Sequence, residues 1–105
     1  MNVLVIDVGG THVKILATGQ KVKRQMDSSP NLTADEMVAG VRALAEGWKY
    51  DVVSMGYPGP VARNRPKREP YNLGKGWVAL DYAAAFGCPV KMVSPVRIEM
   101  EACSA

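Results

Sequence analysis

The chain has 105 residues, enough for one domain that buries roughly two-thirds of the surface its unfolded form exposes. Its hydrophobic content of 48% and charged content of 22% are ordinary for a globular protein, and no stretch approaches the ~18 apolar residues of a membrane span. The opening residues lack the basic start and the length of a secretory signal, so we expect a cytoplasmic protein with no membrane partner.

Three strands are predicted at the start of the chain. Residues 2–8 are rich in Val, Ile and Leu, which indicates a buried strand, and residues 11–18 resume a strand pattern after Gly9 and Gly10. A short turn then leads to residues 20–26, whose alternation is typical of a more exposed third strand. The pattern therefore predicts two successive hairpins.

A helix is predicted to follow these strands. Thr33 has the character of an N-cap, with Glu36 closing a capping box and Leu32 with Met37 forming a hydrophobic staple. Apolar residues then recur at helical spacing, and Gly47 is expected at the C′ position that ends the helix. We expect this helix to cover the sheet.

Two further strands and one helix complete the predicted fold. Residues 51–56 indicate a short buried strand, which ends in a rigid turn rich in glycine and proline. A second helix is expected at residues 78–86, ending at Gly87, before a final strand at residues 89–93. The order of three strands, helix, strand, long loop, helix and strand predicts an α/β fold with a mixed sheet and an antiparallel opening.

The motif Asp-x-Gly-Gly-Thr lies in the first hairpin. Gly9 and Gly10 would let backbone N–H groups approach phosphate oxygens, and the Thr11 hydroxyl can add a hydrogen bond. Asp7 is placed to hold Mg²⁺ through water, and Lys14 can add positive charge. Other phosphate motifs are absent, because these glycines open a hairpin and not a helix. The alternative is a plain hairpin turn capped by Asp7.

A basic stretch contains much of the excess positive charge. It reads "RNRPKREP" and contains Arg63, Arg65, Lys67 and Arg68, in a chain of net charge +3. A solvated loop and a polyanion contact are both compatible with it. A nucleic-acid patch is a third alternative, although the stretch lacks interleaved aromatic residues and a recognition-helix pattern.

Three stretches resemble the motifs of the ROK sugar kinases, which belong to the actin-like ATPase (ribonuclease H-like) superfamily. These stretches are "DVGGTHVK", "GYPGPV" and "NLGKGW", and their wording is most similar to polyphosphate glucokinases, over about residues 1–93. Kinases of this family have two α/β lobes around a cleft, so the resemblance implies that residues 1–93 correspond to the N-terminal lobe. It also implies phosphoryl transfer from ATP or polyphosphate, with Mg²⁺, to glucose or a similar hexose, and is compatible with a homodimer of the full-length relative.

The resemblance implies roles for two groups of residues. The residues that would face the phosphoryl donor and its Mg²⁺ are Asp7, Gly9, Gly10, Thr11 and Lys14, with Asp7 as the metal residue. The residues that would shape the sugar site are Pro58, Gly59, Pro60, Asn72, Gly74, Lys75 and Gly76. Asparagine suits sugar hydroxyls because its amide both donates and accepts hydrogen bonds. Trp77 is either packed core or a platform on which a sugar stacks.

The sequence departs from the family after the final predicted strand. The family usually places an Asn-Asp pair there, in which the aspartate is the general base that takes a proton from the sugar hydroxyl. Ser94 and Pro95 stand at this point, so no catalytic residue is assigned, and we expect the chain on its own to be inactive or nearly so. His12 is expected to be a strand residue and not a substitute base. We expect residues 94–105 to be a divergent tail that arose by truncation or frameshift.

Two other functions are alternatives to a kinase lobe. A non-catalytic sugar- or phosphate-binding lobe would act by pairing with another subunit. A sugar-responsive repressor is disfavoured, because ROK repressors have a DNA-binding helix-turn-helix before the motif, whereas here Asp7 is the sixth residue after Met1. We therefore expect no DNA partner.

Overall fold

The chain folds into a mixed five-stranded sheet with two helices, as predicted. The structure, a computed structural model, describes residues 1–70 and 73–93. Its elements are β1 (Val3–Val8), β2 (His12–Ala17), β3 (Arg24–Asp27), α1 (Ala34–Leu44), β4 (Val52–Gly56), β5 (Val61–Ala62), β6 (Arg65–Pro66), α2 (Tyr82–Phe86) and β7 (Val90–Val93). The strand order in the sheet is β3-β2-β1-β4-β7, and β5 and β6 form a separate hairpin.

The register of the sheet separates a covered face from an open one. Ile6 of β1 lies opposite Ile15 of antiparallel β2 and opposite Met55 of parallel β4, and all three are fully buried. These residues belong to one core cluster together with the apolar residues of both helices. Val5 and Asp7 point to the opposite face, where they are only half-buried. The alternation of burial along β1 follows from the two-residue period of a strand.

Helix α1 begins with the predicted capping box. The Thr33 hydroxyl accepts a hydrogen bond from the Glu36 N–H at 3.1 Å, and the Thr33 N–H donates to Glu36 Oε1 at 3.0 Å. Hydrogen bonds from the Thr33 backbone and side chain lower the pKa of the Glu36 carboxyl. The C-cap is Ala45, so C′ is Glu46, and Gly47, which was predicted to be C′ and has a φ of 87°, lies one position beyond it. The start of this helix could be predicted because its caps are local.

Helix α2 is shorter than predicted. It begins at Tyr82 rather than at residue 78, with Asp81 as its N-cap, and it ends at Gly87 as expected, where φ is 72°. The Arg42 guanidinium donates to the carbonyl oxygen of Ala85 at 2.8 Å and so connects α1 to the end of α2. Both helices therefore pack together on the covered face. None of the helices in the described ranges has the length and apolar character needed to cross a bilayer.

The carboxyl ends of three strands meet at one edge of the sheet. Strands β1, β4 and β7 are parallel, with β4 between the other two, so Val8, Gly56 and Val93 all lie at this edge. The Tyr57 N–H donates to the carbonyl oxygen of Val93 at 3.0 Å, which joins the end of β7 to the chain that leaves β4. Open α/β sheets commonly bind ligands outside the carboxyl ends of their strands.

The loop expected after β4 contains the unpredicted hairpin of β5 and β6. Arg63 and Asn64 have φ values of 53° and 63°, the signs required at both central residues of a type I′ turn. The Asn64 amide then pairs with edge strand β7: its Nδ2 donates to Val90 O at 2.8 Å, and its Oδ1 accepts from Met92 N at 2.7 Å. One side chain thus satisfies two main-chain groups of the sheet edge.

We expect Asn64→Gly to destabilise the chain, since glycine keeps the positive φ but removes both hydrogen bonds to β7. The expected loss is about 1–3 kcal/mol in the free energy of unfolding, measured by urea denaturation. The control is Arg63→Gly, which relieves the other positive φ without removing these bonds and should be neutral or stabilising. Equal effects of the two variants would contradict the assigned role of the Asn64 amide.

Candidate functional site

Three segments containing predicted site residues lie at the carboxyl edge of the sheet. The hairpin turn, residues 9–11, joins β1 to β2, and residues 57–60 leave β4. The third segment, residues 73–78, packs against the loop before α1, and this loop follows β3 at the same edge. Asn72, predicted to bind sugar, lies outside the described residues.

The hairpin turn is held by a serine that the sequence did not reveal. The Gly9 N–H donates to His12 O at 3.0 Å within the turn. From the end of β3, the Ser28 hydroxyl donates to Gly9 O at 2.7 Å, and the Ser28 N–H donates to Thr11 O at 2.9 Å. Two carbonyl groups of the turn are therefore engaged by Ser28, while Gly10 and Thr11 are exposed. Engaging the carbonyls leaves the turn better suited to an anion.

The turn itself explains why residue 9 is a glycine. A Cβ added at Gly9 would lie 3.0 Å from His12 O, the acceptor of the Gly9 N–H. His12 is a strand residue, as expected, and its Nε2 lies 3.6 Å from Asp27 Oδ1 on the neighbouring strand. Close approach within the chain therefore accounts for Gly9 under both the phosphate and the plain-hairpin interpretations.

Asp7 and Lys14 are neighbours on the open face of the sheet. They are opposite each other in the β1–β2 register, and Gly56 lies opposite Asp7 on its other side. Within residues 1–70 and 73–93, the one contact within 4.0 Å between a basic side chain and a carboxylate is His12–Asp27, so Asp7 and Lys14 are adjacent without being paired. The same residues contain no group of three or more His, Cys, Asp or Glu side chains arranged to hold a metal. Asp7 is thus a single carboxylate beside a position without a side chain.

The predicted prolines line a cleft after β4. This proline cleft has a volume of about 420 Å³ and is lined by Pro58, Gly59, Pro60, Arg68, Glu69 and Pro70. The Tyr57 ring lies beneath it, against Gly59, and its hydroxyl donates to the carbonyl oxygen of Arg68. Burial raises the pKa of Tyr57 to about 12, so this hydroxyl remains a donor at neutral pH.

The predicted Gly74 and Lys75 line a second cleft. This Lys75 cleft has a volume of about 480 Å³ and is lined by Pro30, Asn31, Thr33, Glu69, Pro70, Leu73, Gly74 and Lys75. Gly76 is not among its lining residues and has a φ of 89°. The structure therefore places five of the seven predicted sugar residues, namely Pro58, Gly59, Pro60, Gly74 and Lys75, in two neighbouring clefts that share Glu69 and Pro70.

The wall of the Lys75 cleft is built by main-chain pairing. The Gly74 N–H donates to Leu32 O at 2.7 Å, and the Ala34 N–H donates to Lys75 O at 3.0 Å. A Cβ at Gly74 would lie 2.5 Å from Asn31 O, so only glycine permits this approach. The glycine of the motif is thus required by packing between two segments distant in sequence.

Trp77 belongs to the core and is not a sugar platform. Its side chain is fully buried, with its ring centroid 6.1 Å from that of Tyr57. The indole Nε1 donates to Leu32 O at 3.2 Å, and the Trp77 carbonyl oxygen accepts from the Tyr82 hydroxyl at 2.6 Å. Of the two alternatives left open by the sequence, the structure supports packed core.

Glu69 is a site residue that sequence reasoning missed. Its Oε1 accepts from the Trp77 N–H at 3.0 Å, and its Oε2 accepts from the Val78 N–H at 2.8 Å. The residue is exposed and lines both clefts. One weak signal was visible in the sequence, a single acidic residue at the end of a basic stretch.

The basic stretch does not form a single surface around one cleft. Arg63 and Arg65 line a hollow of about 270 Å³ beside β7, whereas Arg68 lines the proline cleft. All four basic residues of the stretch are exposed. Arg68 is therefore the member of this group that adjoins the predicted sugar residues.

Comparison with known proteins identifies the fold. No family model and no curated protein matches the chain. Among solved structures, it is similar to a ROK family glucokinase from Streptomyces griseus in complex with glucose and AMPPNP, with a TM-score of 0.68 and 19% identity. It is also similar to the ROK hexokinase from Thermus thermophilus, with a TM-score of 0.69 and 20% identity. A third similar structure is a ROK family protein from Streptococcus pneumoniae in complex with sucrose, with a TM-score of 0.63 and 22% identity.

These likenesses extend over nearly the whole of this chain but only part of the other proteins. Each covers 90% of the chain and 33%, 35% and 34%, respectively, of the solved structures. The chain thus has the fold of the N-terminal lobe of a ROK sugar kinase and spans about a third of the length of these structures. The fold expected from the three motifs is confirmed.

We expect Ser28→Ala to loosen the hairpin turn, because the hydroxyl that donates to Gly9 O is lost. The amides of Gly10 and Thr11 should shift and exchange faster in NMR spectra, with a loss of about 1 kcal/mol in unfolding free energy. The matched control is Ser29→Ala, whose hydroxyl accepts a longer bond of 3.3 Å from the Asn31 N–H. Unchanged turn amides in Ser28→Ala would show that Ser28 does not hold the turn.

Proposed function

We propose that residues 1–93 are the N-terminal lobe of a glucokinase-type enzyme. This enzyme would transfer a phosphoryl group from ATP or polyphosphate to glucose or a similar hexose. The observation that carries the proposal is the convergence of separate motifs, since the hairpin turn and both clefts lie at the carboxyl edge of one sheet. A phosphoryl donor and a sugar must meet within reach of each other, and this edge offers a place for each.

The hairpin turn is proposed to bind the phosphoryl donor. Gly10 and Thr11 are exposed beside carbonyl groups already engaged by Ser28, which favours contact of the turn with phosphate oxygens. A single carboxylate, Asp7, fits Mg²⁺ because this ion usually binds one or two carboxylates together with water and substrate phosphates. Mg²⁺ would neutralise charge on the phosphates. Lys14, adjacent to Asp7, would add positive charge.

The two clefts are proposed to hold the sugar. Their walls combine apolar surface with polar groups, as small-molecule sites do, and Lys75 and Glu69 supply a donor and an acceptor. The roles of Pro58, Gly59 and Pro60 in the proline cleft follow from the resemblance. Likeness to a glucokinase solved with glucose supports the choice of hexose.

The proposed enzyme needs a general base, and no residue among 1–93 is assigned to that role. The resemblance places it just after β7, where this sequence has Ser94 and Pro95, which lie outside the described residues. We therefore propose that this chain binds its ligands weakly and does not transfer the phosphoryl group on its own. The presence of Ser94 and Pro95 in place of the Asn-Asp pair also favours a second candidate function. This function is a non-catalytic sugar- or phosphate-binding lobe that acts within a larger assembly.

Binding by the hairpin turn can be tested by NMR titration with Mg²⁺ and tripolyphosphate. The amides of Gly9, Gly10 and Thr11 should shift first, because the turn itself supplies the donors. Asp7→Asn should remove the Mg²⁺ dependence of these shifts. The control is Asp51→Asn, which alters a carboxylate bonded to the Asn2 N–H just before β4, at the opposite edge of the sheet, and should leave the response unchanged.

One result of this titration would contradict donor binding by the hairpin turn. Shifts restricted to the basic stretch from Arg63 to Arg68, with a silent hairpin turn, would mean that the Asp-x-Gly-Gly-Thr motif is a plain hairpin in this chain. A parallel titration with glucose should shift amides of the proline and Lys75 clefts. A lack of response there would count against the sugar site separately from the donor site.

Residues 1–105 should not phosphorylate glucose above background with either ATP or polyphosphate. Loss of a general base alone costs about 10²–10⁴-fold in rate. Formation of phosphorylated glucose, followed with a radiolabelled donor, would measure this. Turnover within about tenfold of a complete glucokinase, a smaller loss than removal of the base predicts, would contradict the proposed absence of catalysis.

A further inference from the structure

Glu69 occupies the wall shared by the two clefts, although no motif includes it. The proline cleft lies on one side and the Lys75 cleft on the other, and Glu69 lines both. The side chain is exposed, so a ligand in either cleft has access to it. Its position places a negative charge between the residues that the motifs assign to the sugar.

Two backbone amides fix the orientation of the Glu69 carboxylate. The Trp77 N–H donates to Oε1 at 3.0 Å, and the Val78 N–H donates to Oε2 at 2.8 Å. Trp77 is itself immobilised, since its indole is fully buried and bonded to Leu32 O. The carboxylate is therefore held by the main chain beside a buried residue and not by another exposed side chain.

Within residues 1–70 and 73–93, two groups donate hydrogen bonds to this carboxylate, which is half of its capacity. An ionised carboxylate has two oxygens and about four acceptor positions. The two amides occupy one position on each oxygen, and in the described ranges no cation lies within 4.0 Å of Glu69 to form an ion pair. Each oxygen thus retains an acceptor position in an exposed cleft wall. Hydroxyl groups of a sugar are suitable donors, and an acceptor that is already oriented binds them at a lower entropic cost.

We propose that Glu69 binds the sugar directly, accepting hydrogen bonds from one or two hydroxyl groups, and so contributes to the choice of sugar. This inference rests on the proposed function, because it names an additional contact of the same sugar site. The alternative is a purely structural role, in which Glu69 only caps the turn that begins at Trp77. A site that accepts from a particular hydroxyl discriminates against the analogue lacking it, whereas a structural residue affects all sugars alike.

The first experiment observes the carboxylate itself in the unaltered chain. Glutamate labelled with ¹³C at Cδ gives a separate NMR signal for each of Glu36, Glu46, Glu69, Glu99 and Glu101. Titration with glucose should shift the Glu69 signal, together with amides of the two clefts. Cleft amides that respond while Glu69 stays silent would overturn the inference and leave the proposed function standing. No response anywhere in the clefts would overturn the sugar site itself.

The second experiment compares Glu69→Gln with Glu46→Gln. Glu46 lies in the turn after α1, away from both clefts, so its substitution makes the same chemical change without touching them. Glu69→Gln should weaken glucose binding by about tenfold, as expected for loss of a hydrogen bond to a charged group, and Glu46→Gln should not. Equal glucose affinities of Glu69→Gln and the unaltered chain would overturn the inference.

A panel of monodeoxyglucoses separates direct contact from a structural role. At least one analogue should bind the unaltered chain and Glu69→Gln equally, because the hydroxyl that Glu69 recognises is missing from it. The same analogue should fail to shift the Glu69 ¹³C signal, a result that needs no variant and so holds even where Glu69→Gln does not fold. A uniform loss for every analogue, with faster exchange of the Trp77 and Val78 amides, would assign Glu69 to the structural role.

Discussion

The buried indole of Trp77 is the contact on which the candidate sugar site depends. Its ring packs against Tyr57 beneath the proline cleft, and its Nε1 bonds to Leu32 in the loop before α1. Its amide donates to Glu69, while its carbonyl oxygen accepts from Tyr82 of α2. Four segments of the chain thus converge on one residue with less than 1% of its surface exposed. Trp77 thus connects the two clefts through its contacts with Tyr57, Leu32 and Glu69.

Local signals made much of the fold predictable. The capping box of α1 depends on residues three apart, and the buried strands are visible as apolar runs, so these elements were correctly placed. The errors arose where a short segment depends on distant contacts. The third strand begins at Arg24, near the end of its predicted range, and there the Arg24 guanidinium donates to the carbonyl oxygens of Leu44 and Glu46 after α1. The β5–β6 hairpin was missed because its two-residue strands have no periodicity and its turn is Arg-Asn, not Asn-Gly.

The sequence predicted only those residues of the candidate site that belong to one of the three motifs. Ser28 acts on Gly9 across nineteen positions, and Glu69 and Trp77 both lie outside the helices and strands, so neither contact follows from the periodicity of a helix or a strand. The motif glycines were predicted as site residues, but the structure also gives them a packing role. Gly74 is required by its distance to the Asn31 carbonyl oxygen. In this chain, packing alone therefore accounts for the glycine at that position, and sugar binding must be measured independently.

The carbonyl oxygen of Leu32 has a consequence for the order in which the protein folds. It accepts hydrogen bonds from both the Gly74 N–H and the Trp77 Nε1, groups more than forty residues away. Contacts of such high sequence separation form late, since the loop between them must close before they contribute stability. The β1–β2 hairpin and α1 can form from residues that are close in sequence. The Lys75 cleft, in contrast, requires residues 73–77 to reach Leu32. The Lys75 cleft therefore depends on long-range closure of the chain, as does the parallel pairing in which Val3 of β1 lies opposite Val52 of β4, and neither can form from neighbouring residues alone.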